Sequence, residues 1–447
     1  MRLTWLTGLT AAGLLVVSGG SLVQAAEASS AAGDSRAIEE IVDVLRDNGL
    51  INDAEKTRLL AKHAAERKSD LPAVAAAATN GWIWSGDMRL RHESFAFDED
   101  DLGNETDNRY RGRYRARIGV KKQFNDTMLF GIRLASGRDD LRSTNESLGG
   151  DPDFDPDEIF IDRAFVDFGL TDGKGGGLAS KLSGGKVENP YVGKVGKDFL
   201  VFDQDINLEG LSFIASFKPD EETTLYLNTG GYIADENSTS SDPKLVAGQL
   251  GIASKIAEGL ELGFRVSGYG WHSLDDRFAT DSAEFGNLNS FTGSPDDTSS
   301  TMGEVFTHLK FGGGSDWPIV VFGTAVQNFS ADDAVINGFA VDEEDLAWGA
   351  GVEFGSSKIV KFGAAYFEIE ANSVVAQFTD SDLFDGFTNR KGFVVYLSRE
   401  IAKSAEFKLS LFQSDSIEDD GLGDGPYATS LANSDRLRLQ ADLEFGF

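Results

Sequence analysis

The sequence predicts an all-β chain: a 16-stranded antiparallel transmembrane β-barrel with a short N-terminal helical segment. Three observations predict it. The last segment alternates with almost no error, with Leu437, Leu439, Ala441, Leu443, Phe445 and Phe447 on one face and Arg436, Arg438, Gln440, Asp442 and Glu444 on the other. Strand side chains alternate with a period of two, so one side is oily and one charged, as in a barrel between lipid and a watery lumen. Sixteen such segments follow one another from Trp82, joined by short and long connections in strict alternation. Past the N-terminal leader, no apolar run approaches the roughly 18 to 20 residues that a membrane helix needs, and a closed barrel is the other way to satisfy the backbone in lipid.

Residues 1–26 read as a secretory signal peptide. Arg2 gives the positive start, Leu6 to Val17 the apolar core, and Val23-Gln24-Ala25 and Ala26-Glu27-Ala28 two small-residue cleavage sites. Residues 27–80 read as a periplasmic helical segment and linker. Ile38, Ile41, Val42 and Leu45 recur at helical spacing until Gly49, and Asn52 with Glu55 makes a capping-box pattern that opens a second helix bearing Leu59 and Leu60. This hairpin either packs on itself or the barrel mouth, or clasps neighbouring subunits as a short coiled coil. The Ala-rich stretch 69–80 with Pro72 reads as a linker.

Residues 81–447 read as the barrel. The expected strands are 82–97, 107–124, 126–136, 158–170, 178–187, 208–218, 222–234, 245–257, 259–273, 302–312, 316–330, 343–355, 358–370, 389–400, 403–414 and 433–447. Tight turns fall near Asn125, Pro219, Glu258, Gly313, Ser356 and Ala402, with a longer one at 171–177. Long loops lie at 98–106, 137–157, 188–207, 235–244, 274–301, 331–342, 371–388 and 415–432. An outer-membrane barrel has this asymmetry, with periplasmic turns and long external loops.

The formal charge of −32 argues against a nucleic-acid partner, and an exported chain without cysteine has neither disulfides nor thiol chemistry. The acids crowd the long loops: Asp98 to Asp107, Asp151 to Glu158, Asp296 and Asp297, Asp332 and Asp333, Asp342 to Glu344, and Glu418 to Asp420. They read as a solvated outer surface, bridged to lipopolysaccharide by divalent cations. Asp151-Pro-Asp-Phe-Asp-Pro-Asp-Glu158 could hold Ca2+, because hard cations want clustered oxygens, although it lacks the glycine and spacing of a calcium loop. No other cofactor is expected.

Arg109, Arg111, Arg113, Arg115 and Arg117 all lie on one face of the second strand, opposite Tyr110, Tyr114, Ile118 and Val120. An arginine facing the bilayer centre costs on the order of 2 to 4 kcal/mol, so this face is assigned to the lumen. Arg89 and Arg91 on the first strand and Arg133 on the third extend the same basic wall. These arginines either line an aqueous pore or pair with lumen acids such as Asp167, Glu353, Asp442 and Glu444 to hold the barrel's shape. Loop 188–207 is the expected inward loop. Its Glu188, Asp198, Asp203 and Asp205, with Glu209 beyond, would face the wall and create a transverse field at a constriction.

Lys186-Val-Glu-Asn-Pro-Tyr191, Leu200-Val-Phe-Asp-Gln-Asp-Ile-Asn-Leu-Glu-Gly210, and Phe378-Thr-Asp-Ser-Asp-Leu383 with Lys391-Gly392 resemble the bacterial "putative porin" family. The lead Ile38 to Ile51 is similar to the helical start of that family and of phosphate-selective porins. The resemblance implies a 16-stranded outer-membrane porin, homotrimeric, without catalytic residues. The ladder Arg109 to Arg117 matches the phosphate-selective relatives, whereas the scattered lysines and acidic loops depart from them. His63, His92, His272 and His308 have no ligand spacing, and Gly173-Lys-Gly-Gly-Gly177 lacks the rest of a P-loop. The expected function is passive diffusion of small hydrophilic solutes or ions, with either sign of selectivity. The alternative is a structural or adhesive barrel with cation-binding loops and a closed lumen.

Overall fold

The computed structural model describes residues 81–97, 108–137, 140–150, 154–174, 177–193, 195–198, 200–238, 241–274, 285–288, 299–336, 339–418 and 435–447. The signal peptide, the helical segment and its linker, and the acids from Asp98 to Asp107 lie outside them, as do Asp151, Asp153, Asp296, Asp297, Asp419 and Asp420.

Sixteen antiparallel strands build the wall: β1 (Trp82–Phe97), β2 (Arg109–Gln123), β3 (Met128–Ser136), β4 (Ile159–Asp172), β5 (Leu178–Glu188), β6 (Asn207–Phe217), β7 (Thr223–Ile233), β8 (Lys244–Ala257), β9 (Leu260–His272), β10 (Ser300–Phe311), β11 (Ile319–Asn328), β12 (Leu346–Ser356), β13 (Val360–Ile369), β14 (Arg390–Ala402), β15 (Ala405–Ser416) and β16 (Arg436–Gly446). Each pairs with its neighbours in sequence. The seam closes where β1 meets β16, from Asp87 opposite Gly446 to Phe97 opposite Arg436. Phe447 adds two backbone hydrogen bonds to Gly86, at 3.0 and 3.1 Å. The closed sixteen-strand barrel and its alternation of short and long connections are as the sequence predicts. Two short pieces are additional: Glu146–Ser147 pairs with β2, and Ala334–Ile336 pairs with Phe339–Val341.

The outer face is apolar along most strands. Met88, Leu90, Ile118, Phe264, Val266, Val305, Val321, Val352, Phe393 and Leu439 all point outward and are exposed. Aromatic residues gather near the short turns, among them Trp82, Trp84, Phe124, Phe217, Trp317 and Phe447. Such rings prefer the boundary between lipid and water.

The inner face has two halves. Along β1 to β4 and β14 to β16 it is largely charged. Along β8 to β13 it is oily, and Leu245, Tyr269, Trp271, Met302, Phe306, Phe322 and Phe367 pack there against Val201, Phe202, Val374 and Phe378 from two inward loops. The expected charged inner face is therefore found along one side only. The physical reason lies in the loops, which carry enough apolar area to need burial of their own.

Inside the barrel, several rings lie directly across from a glycine on the adjacent strand. Gly131 faces Phe165, Gly251 faces Tyr226, Gly263 faces His308, Gly349 faces Phe367 and Gly363 faces Tyr396. A Cβ on Gly363 would come within 2.1 Å of the Tyr396 ring. Glycine lets each ring lie flat on the neighbouring strand, the arrangement known as aromatic rescue.

Candidate functional site

The basic wall arises from register. Across the β1–β2 ladder, Asp87 pairs with Arg117, Arg89 with Arg115, Arg91 with Arg113, and Glu93 with Arg111. Across the seam, Arg89 lies opposite Glu444 and Arg91 opposite Asp442. Like charges directly opposite destabilise a ladder, so the β16 acids offset the Arg–Arg pairs.

A cavity of about 560 Å3 runs beside this wall. Of the eight expected pore-lining arginines, Arg89, Arg91, Arg115, Arg117 and Arg133 border it. Asp87 accepts from Arg115 Nε (2.9 Å) and Arg117 Nε (2.8 Å), and Asp205 accepts from Arg117 Nη1 (3.0 Å). Arg133 pairs through Nε with Asp162, and its buried Nη2 has no hydrogen-bond partner among the described residues. Arg109, Arg111 and Arg113 share the inner face but stand apart from the cavity. Arg109 lies over the Phe95 ring, Arg111 pairs with the fully buried Glu93, and Arg113 donates to the Ser143 hydroxyl and the Asn145 carbonyl, both at 3.0 Å. One strand thus carries arginines that border the cavity and arginines that pair elsewhere on the inner face.

Loop 189–206 folds inward, and its acids divide by environment. Glu188, Asp203 and Asp205 border the cavity. Glu188 is the last residue of β5 and pairs with Arg163 at 2.9 Å. Asp198 does not reach the cavity. It is buried against Arg265 of β9, which also reaches Glu304 at 3.4 Å and lies 4.1 Å from the centre of the Phe306 ring. Glu209 is a correction to the expected set. It belongs to β6, points outward and forms an exposed pair with Lys186 at 2.9 Å, because strand alternation has resumed by that residue.

Several bordering groups had no place in the expected set. Arg163 faces inward because Asp162 bulges out of the β3–β4 ladder, so both neighbours point the same way. The adjacent charges Asp162-Arg163 were the available signal. Lys197, Lys361 and Lys408 border the cavity, as do Asp380, Ser381 and Asp382 of a second inward loop, 370–389. Burial pushes the Asp380 carboxyl up to about 7, with the Asp382 charge adding to the shift. Asp203 is pushed up in the same way, first by burial and then by Asp380. Asp382 is held well below the usual carboxylate range, against its burial, by Arg91 and Arg438.

Among the described residues no cluster of three His, Cys, Asp or Glu side chains is placed to hold a metal ion. Asp157 of the acidic stretch accepts a hydrogen bond from Tyr114.

A closed, even-stranded barrel with an oily outside, inward loops and a charged passage defines the class of outer-membrane channel barrels. The model of the family described as "Putative porin" matches residues 101–302 and 302–432, and the chain belongs to that family. Among solved structures it is similar to OprB of Pseudomonas putida, with 11% identity over 85% of this chain and 97% of that one and a TM-score of 0.50. OmpF of Salmonella typhi, in complex with daunomycin, shares 12% identity over 83% of this chain and 99% of that one, with a TM-score of 0.48. The outer membrane channel DcaP of Acinetobacter baumannii gives 12% identity, 82% and 98% coverage, and a TM-score of 0.45. At 11% identity the likeness to OprB is one of fold. No curated protein sequence matches the chain. Family and fold make it a porin-type channel of the bacterial outer membrane.

Proposed function

We propose that this porin passes small hydrophilic solutes or ions by passive diffusion, and that the field between the β1–β4 arginines and the acids of loop 189–206 filters them. The observation that carries this reading is the charge-lined cavity, bordered by Arg115, Arg117 and Arg133 and by Glu188, Asp203 and Asp205. Fixed opposite charges across a narrow aqueous gap orient dipolar solutes and sort ions. In this role Arg89, Arg91, Arg115, Arg117 and Arg133 are the pore-lining set, and Arg163 joins them.

Purified protein in a planar bilayer tests the reading. Stepwise conductance is expected, with a reversal potential in a salt gradient that reports ion preference. The double variant Arg115→Gln/Arg117→Gln removes two positive charges beside the cavity and should shift the permeability ratio toward cations by about three-fold or more. An unchanged ratio would take these residues out of the conduction path.

The apolar packing between the two loops and β8 to β13 favours a second reading, a structural barrel with a closed lumen. Silence of the wild type in the same bilayer would select it. We also propose the homotrimer that the family resemblance implies. Native mass measurement in detergent should give three chains per particle, and a single chain would contradict it.

A further inference from the structure

Loop 370–389 connects two adjacent strands, β13 and β14, yet it reaches β9 on one side of them and β16 and β1 on the other. Its first half is anchored to neighbouring loops. Asn287 Nδ2 donates to the carbonyls of Ala371 (2.6 Å) and Val374 (2.8 Å), and the Ala376 amide donates back to Asn287 Oδ1 (2.8 Å). The Phe378 ring stacks on Trp271 of β9, with centroids 4.7 Å apart. Loop 189–206 is joined to it twice: the Asp203 amide donates to the Phe378 carbonyl, and the Ser381 amide donates to Asp203 Oδ2, both at 2.7 Å.

Its second half crosses to the seam. Asp382 receives two hydrogen bonds from Arg91 of β1 (2.6 and 2.9 Å), one from Gln440 of β16 (2.9 Å), and pairs with Arg438 at 3.2 Å. Asp385 pairs with Arg436 (2.6 Å) and Arg438 (2.9 Å). Asp380, Ser381 and Asp382 then border the passage. A paired Arg–carboxylate fork has fixed geometry and charge-assisted strength, so the tip is held at a defined distance from the wall.

We propose that loop 370–389 is a second lip of the channel and that Asp382 sets the size cut-off by clamping that lip to Arg91, Arg438 and Gln440. The inference rests on the channel reading and adds a second constricting element, anchored on the seam strands. The Asp382 carboxylate accepts three hydrogen bonds on Oδ1 and one on Oδ2, all from side chains of the seam strands. Its part in selectivity is therefore positional, and the passing solute meets the backbone and side chains that it holds in place.

The test is single-channel conductance of the full-length wild type, Asp382→Ala and Asp382→Ala/Asp385→Ala, with a series of neutral polyethylene glycols to size the passage. Heat-dependent gel mobility reports whether each barrel has folded, and Asp382→Asn, which keeps the side-chain volume, serves if the alanine variants do not fold. Conductance should rise about 1.5-fold in the single variant and about two-fold in the double, with larger polymers entering. A conducting wild type and a folded variant of equal conductance and cut-off would overturn the clamp and leave the channel reading standing. A silent wild type with a conducting variant would support the clamp and overturn the open channel. Silence of both would overturn both.

Discussion

Arg265→Met is expected to destabilise the barrel by about 3 to 5 kcal/mol, the usual cost of removing one partner from a buried ion cluster. The guanidinium lies between Asp198 of loop 189–206 and Glu304 of β10, and Tyr269 also donates to Glu304 at 2.8 Å. All four side chains are buried. Methionine fills the volume and keeps the contact with Phe306, so the loss isolates the charge. Two carboxylates would then share an apolar site with no cation. Burial and Glu304 already push Asp198 up to about 7 while Arg265 opposes them, so the variant should take up a proton there. Urea unfolding in detergent checks the stability, and a change under about 1 kcal/mol would contradict the argument. Adding Asp198→Asn and Glu304→Gln removes the stranded charges and should recover much of the loss.

Arg438→Met should cost a similar amount, about 3 to 5 kcal/mol, by a different route. Arg438 reaches the fully buried Glu93 across the seam, Asp385 and Asp382 on loop 370–389, and the Ser381 carbonyl at 2.9 Å. Its loss leaves Glu93 with Arg111, Gln440 (3.2 Å) and, at 3.8 Å, Arg91. The two arginines are hubs for different loops, so the variants should separate under limited proteolysis. New cleavage is expected within 189–206 for Arg265→Met and within 370–389 for Arg438→Met. Identical digestion patterns would show that the loops are released together.

Much of this fold was legible in the sequence because a barrel wall is a local pattern repeated. Alternation in β1, β2 and β16 assigns inside and outside directly, since one face carries arginines and the other leucine and tyrosine. Alternation fails along β8 to β13, where Met302, Phe306 and Phe322 face inward while Val305, Phe311 and Val321 face outward. Two apolar faces give no polarity to read. The clue lay in the loops. Leu200-Val-Phe202 and Val374-Val-Ala-Gln-Phe378 are too oily to stay in water, and each demands an apolar partner surface. Reading loop 189–206 for its acids alone correctly drew attention to its inward course, but it mixed Asp203 and Asp205, beside the cavity, with Asp198, which anchors the loop, and Glu209, which points away. Loop 370–389 escaped notice as a site because its aspartates meet Arg91 and Arg438 only after the barrel has closed, from positions far apart in sequence.

The pairing of Gly363 with Tyr396 bears on how wide the passage can be. Tyr396 borders the cavity and is tethered to Glu353 at 2.6 Å. Its phenol rests where a side chain on residue 363 would otherwise stand. The missing methyl group thus leaves room for the ring: any larger residue would displace it from the wall. The space inside this barrel depends on what glycine omits as well as on what larger side chains fill.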